Sequence, residues 1–302
     1  MPMNYEQFKE HLTRHLQEQY PAPAYEINVR RITKNNGLHL DGLCIFKKGE
    51  NVSPTIYLDS YYDRYVSGSN LADILGAIAH EYERGMRVAP PVNMVNHMTD
   101  AYYETVRSQI IMRLVNYEKN KEILEECPYI RFHDLAITFR WLAHWDEIGI
   151  STALITNSEL LQWGIDCRQI YQDAVLNTGR IFPAEIHRLR DMIEERVLPD
   201  ERNDVDLYVL TNTQGINGAT CILYKNVLKD FAAVKNSNLY LLPSSIHEMM
   251  ICPEQEGICE NMLLSLVKEA NHMVVTMGEV LSDNIYYYDY KKDSIRLIEN
   301  VL

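Results

Sequence analysis

Hydrophobic residues recur along the chain with two different periods, and these periods predict the secondary structure. Tyr5, Phe8, Leu12 and Leu16 follow helical spacing, so residues 4–20 should form an amphipathic helix. Residues 25–33 alternate between apolar and polar, which is typical of a strand. Residues 38–46 and 55–58 are predicted to pair as a hairpin. The chain therefore opens with a helix followed by antiparallel strands.

Two longer helices are predicted next, at 71–84 and 99–120. The second prediction depends on Ile110, Leu114 and Tyr117, which would share one side of a helix. Around residues 125–128 the pattern returns to that of strands. We place a soft domain boundary there, between a region 1–125 and a region 126–302, which could also form one compact unit.

The second region alternates hairpins with helices. Hairpins are predicted from residues 132–142 with 151–156, 206–211 with 219–224, and 285–290 with 294–298, with further strands at 238–242 and 246–252. Helices are predicted at 158–163, 167–177, 183–195, 226–234 and 259–272. Antiparallel hairpins joined by helices indicate an α+β fold and not a doubly wound parallel sheet.

One pattern recurs along the chain. Residues 55–58, 152–155 and 220–223 each close a predicted hairpin, and a helix-like segment follows each of them within a few residues. This recurrence is compatible with three repeated hairpin–helix units. Chance similarity within a hairpin-rich α+β protein explains it equally, and the sequence leaves both interpretations open.

Charge and composition limit the classes of partner. The 302 residues include 42 acidic and 29 basic side chains, which gives a formal net charge of −13. A field of that sign repels phosphate backbones and anionic lipids, so no nucleic-acid or membrane partner is expected. No apolar stretch approaches the length of a transmembrane helix, and the N-terminus lacks the pattern of a signal peptide.

The cysteines and glycines point to no cofactor. The six cysteines are scattered, without a pair or a Cys/His cluster at zinc spacing. Free thiols predict a reducing compartment, and we expect a cytoplasmic protein. No glycine-rich turn leads from a strand into a helix, so neither a dinucleotide fingerprint nor a P-loop is present. We predict neither a cofactor nor a metal.

The densest polar cluster is Ser244-Ser245-Ile246-His247-Glu248. A serine beside a histidine can become a nucleophile, because the imidazole takes the hydroxyl proton. A catalytic set would use Ser245 or Ser244 as nucleophile, His247 as base and Glu248 as the orienting group. A structural interpretation is also available, because Ser245 and Glu248 match a capping box that would start a short helical turn.

The other histidines and the tyrosines offer weaker candidates. His80-Glu81 resembles the start of a zinc peptidase motif, but Arg84 occupies the position of the second histidine, so the motif fails. His11 and His15 lie one turn apart on the first helix, where a solvated helix face is expected. The 20 tyrosines include a cluster at 286–290. Tyr286 and Tyr288 are candidates for a contact surface, and ordinary half-buried strand positions are the alternative.

Several segments carry a resemblance to a known family: 33–37, 54–58, 130–136, 218–224, 242–248 and 279–283. Read together and in this order, they resemble the bacterial family known as domain of unknown function 5688. That family has no established activity, so the resemblance implies no catalytic residues. The segment 242–248 matches its pattern and His80 does not, which directs attention to His247.

Two functional hypotheses follow. The leading one is a non-enzymatic interaction or regulatory module that binds a protein or peptide through a hairpin-rich surface rich in tyrosine. The alternative is a hydrolase that uses Ser245, His247 and Glu248. The partner and the oligomeric state are not specified by the sequence.

Overall fold

A computed structural model of the chain confirms the α+β class. It describes residues 2–50, 52–88, 102–145, 150–192 and 205–299. The chain divides into two compact units, the first formed by 1–34, 38–102 and 142–153, and the second by 35–37, 103–141 and 154–302. The predicted boundary near residue 125 therefore falls inside the second unit, because the strand that begins at Ile110 already belongs to that unit's sheet.

The first unit packs helices on a small antiparallel sheet. Its strands are β1 (Tyr25–Thr33), β2 (His39–Lys47) and β3 (Ile56–Tyr57), and its helices are α1 (Tyr5–Gln19), α2 (Asp59–Val66) and α3 (Leu71–Val88). Asn4 and Gln7 form a capping box that starts α1. Phe8, Leu12 and Leu16 are buried in the core with the central residues of β2, as their helical spacing predicts.

The second unit contains a six-stranded antiparallel sheet in the order β13-β12-β10-β11-β9-β8. These strands are β8 (Ala184–Arg188), β9 (Tyr208–Asn212), β10 (Leu239–Ser245), β11 (Glu248–Pro253), β12 (Ile285–Asp289) and β13 (Ser294–Ile298). Helix α10 (Glu260–Met273) packs on it through Leu263, Leu264 and Val267. The predicted tyrosine-rich hairpin is confirmed as β12–β13.

A second sheet has the order β4-β6-β5, with β7 also paired to β6. Its strands are β4 (Ile110–Asn116), β5 (Tyr129–Phe132), β6 (Leu135–Trp145) and β7 (Ile150–Leu154). The remaining helices are α4 (Tyr103–Val106), α5 (Lys121–Glu126), α6 (Asn157–Trp163), α7 (Cys167–Ile181), α8 (Leu189–Met192) and α9 (Val227–Lys235). Helix α7 packs against β4, and Met112 N donates to Thr178 Oγ1 at 2.8 Å.

The helix predicted at 99–120 is wrong. Residues 99–101 lie outside the described part of the chain, and the rest form α4, a 3-10 turn and then β4. Nearly every side chain of β4 is buried, so its apolar run does not alternate. Such a run matches helical spacing by coincidence at Ile110 and Leu114, whereas the β-branched residues Ile111 and Val115 favour a strand.

Two further predictions need correction. The segment 219–224 does not pair as a strand, because Gly218–Leu223 forms a buried 3-10 turn. The third repeated hairpin–helix unit therefore lacks its hairpin, although 55–58 and 152–155 do lie in paired strands that precede helices. The helix predicted at 183–195 begins instead as β8, which pairs with β9. Its last residues, 193–195, lie outside the described chain.

Among the residues that the structure describes, no helix is long and apolar enough to cross a membrane.

Candidate functional site

The segment 244–248 forms the tight turn between β10 and β11. Ser245 pairs with Glu248, and Ile246 and His247 form the turn between them. Ser245 Oγ accepts a hydrogen bond from the backbone N–H of His247 at 3.0 Å. The prediction that a capping box starts a helical turn here is therefore wrong, because the serine closes a β-hairpin. The side chain of Ser244 lies outside the described part of the structure.

His247 is fixed by contacts from three directions. Its Nδ1 accepts from the backbone N–H of Asn217 at 3.2 Å, and its carbonyl oxygen accepts from Thr211 Oγ1 at 2.9 Å. Its Nε2 lies 3.6 Å from Glu279 Oε1. Because Nδ1 accepts a hydrogen bond, the neutral ring carries its proton on Nε2 and presents it toward Glu279.

In this geometry the imidazole of His247 does not act as a general base toward Ser245. The Nδ1 lone pair of the imidazole already accepts a hydrogen bond from the backbone N–H of Asn217. No described hydrogen bond joins Ser245 Oγ to the ring. The carboxylate beside His247 belongs to Glu279 and not to Glu248, which starts β11 opposite Ser245. The arrangement can hold the hairpin turn in place, and it lacks the nucleophile–base contact of a serine hydrolase.

The structure corrects the prediction that Tyr286 and Tyr288 lie on a contact surface. Tyr286 is fully buried and Tyr288 is 3% exposed. Their hydroxyl groups donate to Asp134 Oδ1 and Asp293 Oδ1, both at 2.6 Å. The intervening Tyr287 is partly exposed, because consecutive residues of a strand alternate between its two faces.

Asp134 joins two of the segments that carry the family resemblance. Besides Tyr286, its carboxylate accepts from Ser282 Oγ at 2.5 Å and from Asn284 Nδ2 at 3.0 Å. An ionised carboxylate is purely an acceptor, so three neutral donors suit it. The cluster links the β5–β6 turn to the segment that precedes β12, and its role is to position these elements.

A small pocket opens beside this cluster, within the second unit. Its volume is about 270 Å³, and its wall combines apolar and polar groups. The lining residues come from β5, the 3-10 turn, α9 and the β12–β13 hairpin: Phe132, Ile222, Leu223, Tyr224, Asn226, Leu228, Lys229, Tyr288, Asp293 and Ile295. Tyr288 is therefore one of the residues that line this pocket, although it is buried.

The polar edge of this pocket is a small charged network. Lys229 Nζ lies 3.2 Å from Asp293 Oδ2, while Tyr288 donates to the other oxygen of the same carboxylate. Asp293 has a left-handed backbone with φ of 50°, which the β12–β13 turn requires. The hydrogen bonds from Tyr288 and Lys229 lower the pKa of Asp293 below its usual value, so it is ionised at neutral pH.

A larger surface depression, of about 480 Å³, lies in the first unit at the end of the β1–β2 hairpin. It is lined by Phe46 and by the charged side chains of Glu26, Lys47, Lys48 and Glu50. Lys47 and Glu50 pair with each other at 3.1 Å. Pro23 and Tyr25 also line the depression, but four of its eight lining residues are charged, compared with two of the ten that line the pocket of the second unit.

The remaining sequence candidates occupy surface or structural positions. His80 is exposed on α3, and the neighbouring Glu81 accepts a hydrogen bond from Tyr61. The rings of His11 and His15 lie 4.3 Å apart on α1. In the ranges that the structure describes, no group of His, Cys, Asp or Glu side chains is placed to hold a metal ion.

The profile of the family of unknown function DUF5688 matches residues 5–290. The chain belongs to that family. This match confirms the resemblance seen in the segments from 33–37 to 279–283. No curated protein and no solved structure matches the chain.

Sequence reasoning missed most of the pocket of this DUF5688 chain. The sequence pattern predicts ordinary strand positions for Phe132 and Leu223, and it places Ile295 on the last strand without indicating a role. A usable signal was that the segments 130–136 and 218–224 both carry the family resemblance, and both contribute to the pocket. Glu279, the partner of His247, lies in a third such segment.

Proposed function

We propose that this DUF5688 chain is a non-enzymatic interaction module, in which the pocket of the second unit receives one apolar side chain of a protein or peptide. The observation that carries the proposal is the composition of the pocket. Phe132, Leu223 and Ile295 provide an apolar wall, and Lys229 with Asp293 provides a polar edge. Recognition sites combine these two features, because apolar contact supplies affinity and a few polar groups fix orientation.

The size of the pocket favours a side chain over a whole small molecule. Pockets that enclose drug-sized ligands or cofactors measure roughly 300–1,000 Å³. A volume of about 270 Å³ falls below that range. It suits a single large aliphatic or aromatic residue, which is the kind of anchor that dominates binding energy at protein interfaces.

The charge of the protein favours a basic partner. The formal net charge is −13, and a field of that sign accelerates association with cationic segments. We therefore expect a peptide whose apolar anchor has lysine or arginine beside it. The six cysteines are free thiols, four of them buried, and on this ground we propose that the module works in a reducing compartment such as the cytoplasm.

A peptide selection tests the proposal. A display library of random peptides is selected on the purified protein, and the affinity of enriched sequences is measured by fluorescence anisotropy. Ile295→Glu places a charge in the pocket wall and is expected to weaken binding by at least about tenfold, because burying an unpaired charge is unfavourable. Leu297→Glu is the matched control, because Leu297 lies on the same strand and the same face, outside the pocket lining.

The expected peptides share an apolar anchor and a basic flank. Equal binding by the Ile295 and Leu297 variants, or failure to enrich any peptide on folded protein, contradicts the proposal. Both variants are compared with the native chain by circular dichroism before binding is measured, so that loss of fold is not mistaken for loss of contact.

The hydrolase alternative has its own test. If Ser245 is a nucleophile activated by His247, a fluorophosphonate probe labels the native chain and not the His247→Ala variant. The contact between Asn217 N–H and Nδ1 leads us to expect no labelling of either protein. Labelling that depends on His247 would establish the hydrolase and reject the interaction module.

A further inference from the structure

Strand β1 forms one edge of the three-stranded sheet in the first unit. It pairs with β2 along one side, and no other strand of the described chain pairs with it. Its nine residues keep an unbroken register with β2, and they include no proline or glycine. Many natural edge strands are shortened, bulged or interrupted by proline, because unpaired backbone groups can bind another strand. This edge is long and regular, and it lacks those interruptions.

Hydrogen bonds at the two ends of the β1–β2 hairpin show which backbone groups point outward. Lys48 N donates to Ala24 O at 2.8 Å, and Lys34 N donates to Leu38 O at 2.7 Å. Hydrogen-bonded pairs alternate along an antiparallel ladder, so the even-numbered residues of β1 bond to β2. The N–H and C=O groups of its odd-numbered residues therefore point away from β2.

Three of these odd-numbered residues, Ile27, Val29 and Arg31, form what we call the open edge. Their outward backbone groups make no hydrogen bond with another described residue. The side chains of Ile27 and Val29 pack against the core of the first unit, so the strand is held in place while its edge stays unpaired. Donors and acceptors at this spacing match the backbone of one more extended segment.

Two cations flank the open edge. Arg30 and Arg31 are exposed, and as consecutive strand residues they lie on opposite faces of the sheet. Neither makes an ion pair with a described residue. Arg31 lowers the pKa of Asp41 through space, but the ion pair of Asp41 is with Lys9 at 2.7 Å. Both guanidinium groups are therefore available to a carboxylate on a neighbouring strand.

The local charge differs in sign from that of the chain. The strand carries two arginines and one glutamate, whereas the whole chain has a formal net charge of −13. At physiological salt, charges act over about 8 Å, so the adjacent arginines dominate the field at this edge. Pairing of β1 with β1 of a second copy would bring the arginines of both copies together and would oppose the net charges of the two chains. An acidic segment suits the edge better.

We propose that an extended acidic segment of a partner protein adds to β1 as a fourth strand of this sheet. Its backbone bonds to the open edge, and its carboxylates lie beside Arg30 and Arg31. Opposite charges on adjacent strands stabilise their pairing. This surface belongs to the first unit and the pocket belongs to the second, so the inference goes beyond the proposed function and either can fail without the other.

Amide hydrogen exchange followed by NMR tests the backbone contact. The probe is a capped peptide of alternating valine and glutamate, with the same length as β1. Without the peptide, the three amides of the open edge should exchange faster than those of Asn28 and Arg30, which bond to β2. With the peptide in excess, exchange at the open edge should slow by at least about tenfold.

A proline substitution tests the edge itself. Arg31→Pro removes one outward donor and leaves the ladder with β2 intact, because an edge strand tolerates proline where its N–H faces outward. Fluorescence anisotropy should show at least about tenfold weaker binding of the peptide. Arg31→Gln is the matched control, because it removes the same charge and keeps the N–H, so its loss should be smaller. Arg168→Gln, at an exposed position of α7 in the second unit, should bind like the native chain.

The charge preference has its own comparison. A peptide with lysine in place of glutamate should bind at least about tenfold more weakly than the acidic peptide. If Arg31→Pro does not fold, the exchange experiment and this comparison on the native chain decide the question. Unchanged exchange at the open edge, equal binding of the two peptides, or equal binding by folded Arg31→Pro and Arg31→Gln would overturn the proposal. Protection of the open edge that grows with protein concentration alone would assign the edge to a second copy and also overturn it.

Discussion

The hydroxyl of Tyr286 provides a measurable test of how the second unit is held together. Tyr286 lies on β12 with no exposed surface, and its hydroxyl donates to Asp134 at 2.6 Å. Tyr286→Phe removes one oxygen atom and leaves the ring in place. The carboxylate keeps its bonds from Ser282 and Asn284, both of which reach the other oxygen, Oδ2. Oδ1 loses the donor that the buried tyrosine supplied.

The size of the effect follows from the charge on the acceptor. A hydrogen bond to an ionised group contributes roughly 1.5–3 kcal/mol to stability, compared with about 1 kcal/mol for a neutral pair. Burial raises the pKa of Tyr286 well above its usual value, and the negative charge of Asp134 raises it further, so the hydroxyl remains a donor at any practical pH. We expect Tyr286→Phe to lower the free energy of unfolding by about 2 kcal/mol.

Tyr288→Phe is the matched control. It lies two residues away on the same strand and also donates to an aspartate at 2.6 Å. Asp293, however, is exposed, so water replaces the lost donor. The expected cost is at most about 0.5–1 kcal/mol.

Urea unfolding followed by circular dichroism measures both variants against the native chain. A lower midpoint at an unchanged slope reports a loss of stability without a change in the surface exposed on unfolding. If Tyr286→Phe costs no more than Tyr288→Phe, the cluster around Asp134 does not stabilise the unit and our account of it is wrong.

Three further predictions concern other parts of the chain. Gly218→Ala should destabilise the protein by about 1–3 kcal/mol in urea unfolding, because a methyl group there collides with the carbonyl oxygen of the β10–β11 turn; native-like stability would refute this. The hydrogen bond from Lys9 lowers the pKa of Asp41 below its usual value, so the stability from this pair is present above about pH 4 and is lost as the pH falls through the folded-state pKa. Asp41→Asn should therefore reduce stability at pH 7 more than at pH 3, and an equal loss at both would contradict the pairing. Iodoacetamide should alkylate Cys259, which is exposed, before the buried Cys221, whose pKa burial raises to about 12; mass spectrometry of the folded protein checks the order.

Local patterns predicted those elements whose exposure follows a simple period. Helix α1 is an example, because it has one buried face and one solvated face. The same reasoning failed for β4, which is buried on both sides and so has no period to detect. It failed also at Gly218–Leu223, where apolar residues that looked like a strand form a compact buried turn.

The candidate sites show the same division. The residue types in the segment 244–248 were visible, but their chemistry depended on Asn217 and Glu279, which approach His247 from 30 and 32 positions away in the chain. The pocket likewise combines Phe132 with Ile295, which are far apart in the chain. The sequence around Phe132 does not indicate that Ile295 will lie beside it, and the reverse is also true.

By itself, the sequence determined the α+β class, the acidic charge, the scattered thiols and the membership of DUF5688, because each depends on composition, local periodicity or segments read in order. Only the tertiary structure decided that Tyr286 is buried against Asp134 and that His247 faces Glu279. These outcomes depend on which distant strands become neighbours, and the burial and hydrogen bonding that follow are set when the sheets assemble.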